Sequence, residues 1–537
     1  MSRNKRKNWI LPAALLVYTL ALLGIICSVT LYNGHVSYTL DDAYIHMAMA
    51  KHVAQNGVFG ITPYEFSASS SSPLWTFLLA GCFFIVGPLE WIPLLLNWLC
   101  GMGIIIALWK FANRTGISKG STSVLLIAAI AFLPMIPIAM TGMEHLLHTA
   151  AIIAMAYTLW PLLNRNTKDG FLTAIPLGIW SAIAVSSRFE TLFTSTAILL
   201  ALGLVKKWKS ALVCALGTAL PVLGFGLYWV ANGQSFLPNS VLIKGSVPDV
   251  SGFVQTLNSL GMDAFNTLVT TPHLFILVLL LAVGLWKNLN SDTHWTQRTL
   301  LAAVAIVATL LHLQFAQVGW FYRYESYLIA LSLASIALLF NKGIKDSKST
   351  LLARVAEGFI IVLCIGPLAH RAVIAHCNTP QATHNIYQQH YQSGLFLKKY
   401  YNTVAIAAND IGAINFLASP RCLDLWGLGS RETMLLHMKG ALTTQRIREI
   451  TQQRNVKIAL VYDSWFHDQA ALPEEWIKAG SYTIQNNVIC GDESVAFFAV
   501  DPAEEEQLRH NLREFSKELP EGVSWKEYGI TAAETDE

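Results

Sequence analysis

Apolar positions along residues 1–376 gather into long runs separated by short polar breaks, without the strict alternation of half-buried strands. A bilayer core of about 30 Å takes about 20 apolar residues per helix. Runs that meet this length, or fall a few residues short, lie near 9–31, 91–111, 121–140, 144–163, 171–187, 190–205, 209–231, 272–287, 299–317, 324–341 and 352–375. The first follows Arg3, Lys5, Arg6 and Lys7. Its apolar run is too long for a signal peptide and no small-residue cleavage pattern follows, so it reads as an uncleaved span with a cytoplasmic N-terminus. Beyond about residue 377 the pattern changes. Segments 404–407 and 456–462 read as short buried strands, 481–489 and 494–500 as a strand pair, and 502–518 as a charged helix before an acidic end. The pattern predicts a mainly α, polytopic membrane protein with about 11 transmembrane helices over 1–376, followed by an α/β domain over 377–537.

Composition sharpens that division. The chain is 53% hydrophobic and 13% charged, which excludes a disordered protein, a disulfide-stapled miniprotein and a nucleic-acid binder working by bulk charge. Residues 1–376 hold 23 Lys/Arg and 13 Asp/Glu (net +10), whereas 377–537 hold 14 and 21 (net −7). Basic clusters at Lys110/Arg114/Lys119, Arg165/Lys168, Lys206/Lys207/Lys209, Lys287/Arg298 and Lys342/Lys345/Lys348 then mark cytoplasmic loops. That assignment requires the apolar segment 73–86 not to cross, but to lie at or re-enter from the outer surface. It leaves the tail outside, as an extracytoplasmic domain. Of eight cysteines, Cys377, Cys422 and Cys490 lie in the tail, where an oxidising compartment permits one disulfide.

Scarce charge makes the outer breaks readable. Asp41-Asp42 follows the first span and opens a helical pattern that Asn56-Gly57 stops. One Asp is a natural N-cap. Two adjacent carboxylates repel each other, and one becomes a candidate for a raised pKa. Glu144 with His145, Arg188 with Glu190, Asn239 with Lys244, and Arg323 with Glu325 fall in the other outer breaks. Ionisable groups at span ends are costly and usually face a polar cavity. Their bland readings are interface anchors, snorkelling side chains or Arg–Glu pairs. Five such breaks on one side fit a catalytic cleft better than a transport path, which places ionisable groups near the midplane.

The ordered series Asp41-Asp42-Ala43-Tyr44-Ile45, Ser71-Ser72-Pro73-Leu74-Trp75-Thr76 and Gly142-Met143-Glu144 resembles the GT-C superfamily of polytopic glycosyltransferases. Its order and spacing are nearest to the branch containing the mycobacterial terminal arabinofuranosyltransferase. Arg188-x-Glu190, Leu237-Pro238-Asn239 with Lys244, Arg323-Tyr324, Asp410-Ile411-Gly412 and Asp424-Leu425-Trp426-Gly427-Leu428 continue it to about residue 430. The chain departs from the usual pattern at Ala48 and at Thr62-Pro63-Tyr64-Glu65, beside the expected sugar site, so arabinose is not carried over.

The resemblance implies transfer of a sugar from a polyprenyl-phosphate donor to an envelope glycan or lipid acceptor, by inverting displacement. An acceptor hydroxyl needs a carboxylate base, expected at Asp41 or Asp42 with a slight preference for Asp41. Arg323, Lys244 and Arg188 are candidates to neutralise the leaving phosphate. Glu144 and Glu190 are expected to orient the acceptor, hold an Arg or share a divalent cation with the Asp pair. Asn239 and Tyr44 count among the substrate-binding residues, and Trp75 lines a prenyl groove or anchors at the interface. The turn at Asp410 is either a plain strand-to-helix turn or part of acceptor recognition by the tail. The competing functions are a flippase for lipid-linked sugars and a non-catalytic envelope-assembly subunit.

Overall fold

The computed structural model describes residues 9–244, 262, 265–291, 295–341 and 351–529, with backbone alone at Lys244, Ser291 and 351–364. Ile10–Asn33, Ile92–Thr115, His145–Leu163, Trp208–Ala231, Pro272–Asn290 and Gln297–Phe315 are long and apolar enough to cross a membrane. A 24-residue helix such as Ile10–Asn33 spans about 36 Å. Lys119–Phe132, Phe171–Ser187, Thr191–Leu204 and Ser326–Leu339 are shorter apolar helices beside them, and Leu351–Ile386 closes the series. Together they form a polytopic bundle that agrees with the expected helix count. Ser326–Leu339 spans only about 21 Å, but Tyr327, Leu328, Ile329, Ala330 and Leu331 are all buried, so protein surrounds it. Ile10–Asn33 instead exposes Leu16, Val17, Leu20 and Leu23, the apolar surface that lipid covers.

The polar breaks sort to opposite ends of the bundle. At one end the Ser118 N–H donates to Asn341 Oδ1 (2.9 Å), Gln297 Nε2 to the Trp160 carbonyl (2.6 Å) and the Lys209 N–H to Asp169 (2.8 Å). At the other, the Thr39 N–H donates to the Met140 carbonyl (3.1 Å), Ser37 Oγ to the Thr383 carbonyl (2.9 Å) and the Tyr38 hydroxyl to the Glu90 carbonyl. Because Tyr38 and Glu90 meet, the chain leaves and re-enters the bundle at the same end. The helix Pro73–Val86 between them does not carry it across. That helix exposes Phe84, Ile85 and Val86.

The helix Asp41–Asn56 begins after Leu40 in extended conformation and ends at Gly57, whose left-handed φ of 69° suits the Asn-Gly stop. Neither Asp is its cap: both lie in the first turn, and no side-chain cap bond forms at Leu40.

The tail holds a six-stranded sheet. Its strands are β1 (Ala405–Ala408), β2 (Arg421–Asp424), β3 (Ile458–Val461), β4 (Ile477–Thr483), β5 (Ser494–Ala499) and β6 (Ser524–Glu527). The order is β2-β1-β3-β5-β4-β6, with β2, β1 and β3 parallel and the remaining pairings antiparallel. Ile406 of β1 stands opposite Cys422 and Ile458. The strands anticipated from the pattern are the central four. The unanticipated β2 and β6 are the two edges, where a strand needs no second apolar face and tolerates Arg421, Lys526 and Glu527. The expected strand over 481–489 lies instead at Ile477–Thr483, and the polar stretch with Asn486 at φ 52° forms the turn. Cys377, Cys422 and Cys490 are free thiols, so the permitted disulfide does not form. Helix Leu351–Ile386 runs through residue 377, where the charge composition changes, and a π-type turn at Tyr387–Tyr391 continues it into Gln392–Tyr400. A continuous helical path thus joins bundle and sheet.

Candidate active site

Successive side chains on a helix project about 100° apart, so adjacent Asp41 and Asp42 face different partners. Asp41 points to the tail. Its Oδ2 accepts the Gly412 N–H (2.7 Å) and its Oδ1 the Ala413 N–H (2.8 Å), at the start of the short helix Ala413–Leu417. Asp42 turns to the bundle, where its Oδ2 accepts from Arg323 Nη2 (2.6 Å). The mutual repulsion expected of the pair is thereby relieved, since each carboxylate has its own donors. The Asp410-Ile411-Gly412 motif is a strand-to-helix turn, and its backbone also seizes the surface helix.

Asp42 and Arg323 share the wall of a cavity of about 880 Å3, counted out to its mouth, with Arg188, Glu190, Ser240 and Tyr324. Arg323 is 1% exposed, and its Nε has no hydrogen-bond partner among the described residues. Behind the wall, Arg188 Nη1 donates to Glu144 Oε1 (2.7 Å) while its Nε and Nη2 bond Glu190. The Tyr324 ring lies 5.3 Å from the Arg188 guanidinium and 5.0 Å from that of Arg323. Glu144 is fully buried, and its Oε2 is 3.5 Å from His46 Nε2. Glu144 and Glu190 thus both pair with Arg188.

Of the other four candidates, three sit elsewhere. Trp75 is fully buried and its Nε1 donates to the Gly142 carbonyl (3.2 Å). Tyr44 is fully buried against Tyr38, Tyr391 and Phe416. Neither lines the cavity. Asn239 joins tail to bundle: its N–H donates to the Ala68 carbonyl (2.9 Å) and its Nδ2 to the Leu428 carbonyl (3.2 Å). Lys244 ends the helix Asn239–Lys244, and its side chain lies outside the described residues.

Sequence reasoning missed His390. Its Nδ1 is 3.4 Å from Asp41 Oδ1, and its Nε2 is 3.8 Å from Asp410 Oδ2 and 3.0 Å from the Tyr462 hydroxyl. The sequence signal was faint, a histidine some 350 residues from its partner. Burial would lower its pKa, but the Asp41 and Asp410 carboxylates push it well above the ordinary value. Asp41, His390 and Asp410 bring one potential ligand atom each within 4.8 Å of one another, a spacing a divalent cation accepts. The donor set fits a cation poorly. Both Asp41 oxygens already accept backbone N–H bonds, which leaves that carboxylate little capacity for a metal. Likewise Asp42, Glu144 and Glu190 each face a guanidinium.

The His390 contact has a pH signature. A pKa raised on folding contributes stability below the unfolded value of about 6.5 and loses it as pH rises through the folded pKa. The thermal midpoint of the solubilised protein is expected to fall across that interval and to fall less in His390→Gln. Equal slopes for the two proteins would remove His390 from this role.

In the 424–429 turn, Asp424 accepts the Trp426 N–H (2.8 Å) and the Gly429 N–H (2.6 Å), with Gly427 at φ 101°. Burial raises the Asp424 carboxyl to about 6. The turn places Leu428 against Asn239, beside Ser240 of the cavity wall.

The profile described as "Domain of unknown function (DUF8728)" matches residues 384–498, from the end of the last long helix to β5. No curated protein sequence matches the chain. Among solved structures, the apo oligosaccharyltransferase of Archaeoglobus fulgidus superposes with a TM-score of 0.53 at 11% identity, covering 93% of this chain and 75% of that one. ArnT from Cupriavidus metallidurans bound to undecaprenyl phosphate gives 0.53 at 12% identity, covering 90% and 98%. The Archaeoglobus enzyme in complex with Zn and sulfate gives 0.52 at 13% identity, covering 89% and 73%. At such identities the likeness is one of fold, and it extends over nearly the whole chain: this membrane protein shares the fold of the oligosaccharyltransferase and ArnT structures.

Proposed function

We propose that this chain is a glycosyltransferase that moves a hexosyl or pentosyl unit from a polyprenyl-phosphate donor to an envelope glycan or lipid, at the outer face of the bacterial cytoplasmic membrane. In this reading residues 1–376 form the catalytic membrane domain and 377–537 an extracytoplasmic domain. The orientation is supported by the basic clusters, of which Arg114, Lys119, Lys207 and Lys209 lie at the end opposite the cavity. The undecaprenyl phosphate bound to the similarly folded ArnT supports the donor class. The motif order further suggests kinship with the arabinofuranosyltransferase branch.

The observation that carries the proposal is the Asp42–Arg323 pair on the cavity wall. A carboxylate paired with a guanidinium is a weak base. A donor phosphate presents Arg323 with a competing anion in bidentate geometry, and Asp42 is released as the phosphate takes its place. The freed Asp42 then accepts the proton of the acceptor hydroxyl as that oxygen attacks the anomeric carbon. The anomeric C–O bond to phosphate breaks, its electron pair leaves with the phosphate, and Arg323 stabilises the charge. Attack opposite the leaving group inverts the anomeric centre. Arg188, held by Glu144 and Glu190, is a fixed part of the same wall whose charge is spent on those two carboxylates. The Arg323 guanidinium supplies the positive charge in this scheme, and no step passes through a metal.

The deciding experiment incubates the full chain in proteoliposomes that contain a bacterial envelope glycan and lipid extract as acceptor with a panel of polyprenyl-phosphate sugars, and follows acceptor-dependent release of polyprenyl phosphate. Release is expected with at least one sugar, and Arg323→Gln is expected to lower it by about a hundredfold. Wild-type release that matches protein-free vesicles for every sugar would overturn the proposal.

A further inference from the structure

The turn that carries Arg323 is built against backbone preference. Gly319, Trp320, Phe321 and Tyr322 all have positive φ, at 81°, 36°, 54° and 63°. Only glycine enters this left-handed region without penalty. Trp320 is 52% exposed, so its own packing does not hold it there. Two residues that the proposed chemistry leaves unused close around the turn. Glu325 Oε2 accepts the Gly319 N–H (2.9 Å), while its Oε1 accepts from Arg371 Nε (3.0 Å) and Nη2 (2.7 Å). Arg371 Nη2 also donates to the Tyr322 carbonyl (2.6 Å), and its guanidinium lies 5.3 Å from the Tyr322 ring. Both side chains are buried. The first N–H of the left-handed turn and its last carbonyl are thus tied to one ion pair, and Arg371 comes from Leu351–Ile386, the helix that leads into the tail.

We infer that Arg371 and Glu325 form a clamp that keeps Gly319–Tyr322 left-handed and so aims Arg323 at Asp42 and the donor phosphate. They are positioning residues, acting through Arg323. The clamp itself stands on geometry alone; its consequence for phosphate rests on the proposed function. An ion pair that merely packs helices together has a different signature. Its loss would be aggravated by a glycine in the turn, whereas loss of a conformational clamp is relieved by one, because glycine adopts the left-handed region unaided.

The test uses the purified full chain in detergent, with two readouts: hydrogen exchange of amides 319–323, and binding of undecaprenyl phosphate against undecaprenol as the phosphate-free control. Arg371→Gln is expected to speed exchange at Gly319 and to weaken undecaprenyl phosphate binding, each by about tenfold. Arg371→Lys, which keeps the charge but loses the fork, should fall between. Adding Trp320→Gly to Arg371→Gln should recover most of both losses. Unchanged exchange in Arg371→Gln, or a deeper loss on adding Trp320→Gly, would overturn the clamp. If Arg371→Gln fails to fold, Glu325→Gln is read the same way, with faster exchange at Gly319 supporting the clamp and unchanged exchange overturning it. Wild-type binding no tighter for undecaprenyl phosphate than for undecaprenol would sink the donor proposal, and the exchange data would still decide the clamp.

Discussion

Asp42→Asn is expected to lower sugar transfer by about 10²- to 10⁴-fold, the usual contribution of a positioned general base. The amide keeps the shape of the carboxylate and one oxygen toward Arg323 Nη2, 2.6 Å away in the wild type, so the fold should survive. What it loses is the capacity to take the acceptor proton once the donor phosphate occupies Arg323. The measurement is turnover of polyprenyl-phosphate sugar in proteoliposomes, with the thermal midpoint as the folding control. Asp41→Asn makes the contrast. Its oxygens are spent on the Gly412 and Ala413 N–H groups, so its loss should lower the midpoint first and the rate only as a consequence. Wild-type turnover in Asp42→Asn, with transfer abolished in a stably folded Asp41→Asn, would reverse the two roles and restore the slight sequence-based preference for Asp41.

The second large effect is expected at Gly412, a residue that touches no substrate in the proposed scheme. A Cβ there would lie 2.2 Å from the Asp41 carbonyl oxygen and 2.6 Å from Asp41 Oδ1, closer than side-chain atoms approach. The backbone must withdraw, and both hydrogen bonds to the Asp41 carboxylate go with it. Hydrogen bonds to a charged group contribute about 1.5–3 kcal/mol each, and overpacking adds a cost of its own, so Gly412→Ala is expected to destabilise the seat of the tail by about 3 kcal/mol. The thermal midpoint should drop, and amides 409–417 should exchange faster than in the wild type. An unchanged midpoint with unchanged exchange would mean that the contact between Asp41 and the Ala413–Leu417 helix is incidental.

These residues show where the sequence was legible. The membrane helices follow from runs of apolar residues, because lipid demands one property over the whole length of a span. Even the helix Pro73–Val86, apolar but not carrying the chain across, follows from counting basic residues on either side of each span. The central strands β1, β3, β4 and β5 were readable because apolar residues concentrate where a sheet is covered. The edges β2 and β6 were not, since an edge strand is specified by its neighbour more than by its own residues. Asp42, Arg188, Glu190 and Arg323 stood out as rare charges at span ends, and they line one cavity. Asp41 stood out equally, yet its partners are backbone N–H groups at Gly412 and Ala413 that any sequence would supply.

Membrane character, the succession of spans and the short set of ionisable residues between them were thus written in the residues themselves. Apolar periodicity and charge are properties that each segment carries without reference to the others. How that set divides depends on the folded arrangement. A turn of about 100° between adjacent helix positions sends Asp41 to the tail and Asp42 to the cavity. Contacts across hundreds of residues bring His390 to Asp41 and Arg371 to Glu325. Such pairings depend on direction and distance in three dimensions, which the linear order of residues does not encode locally.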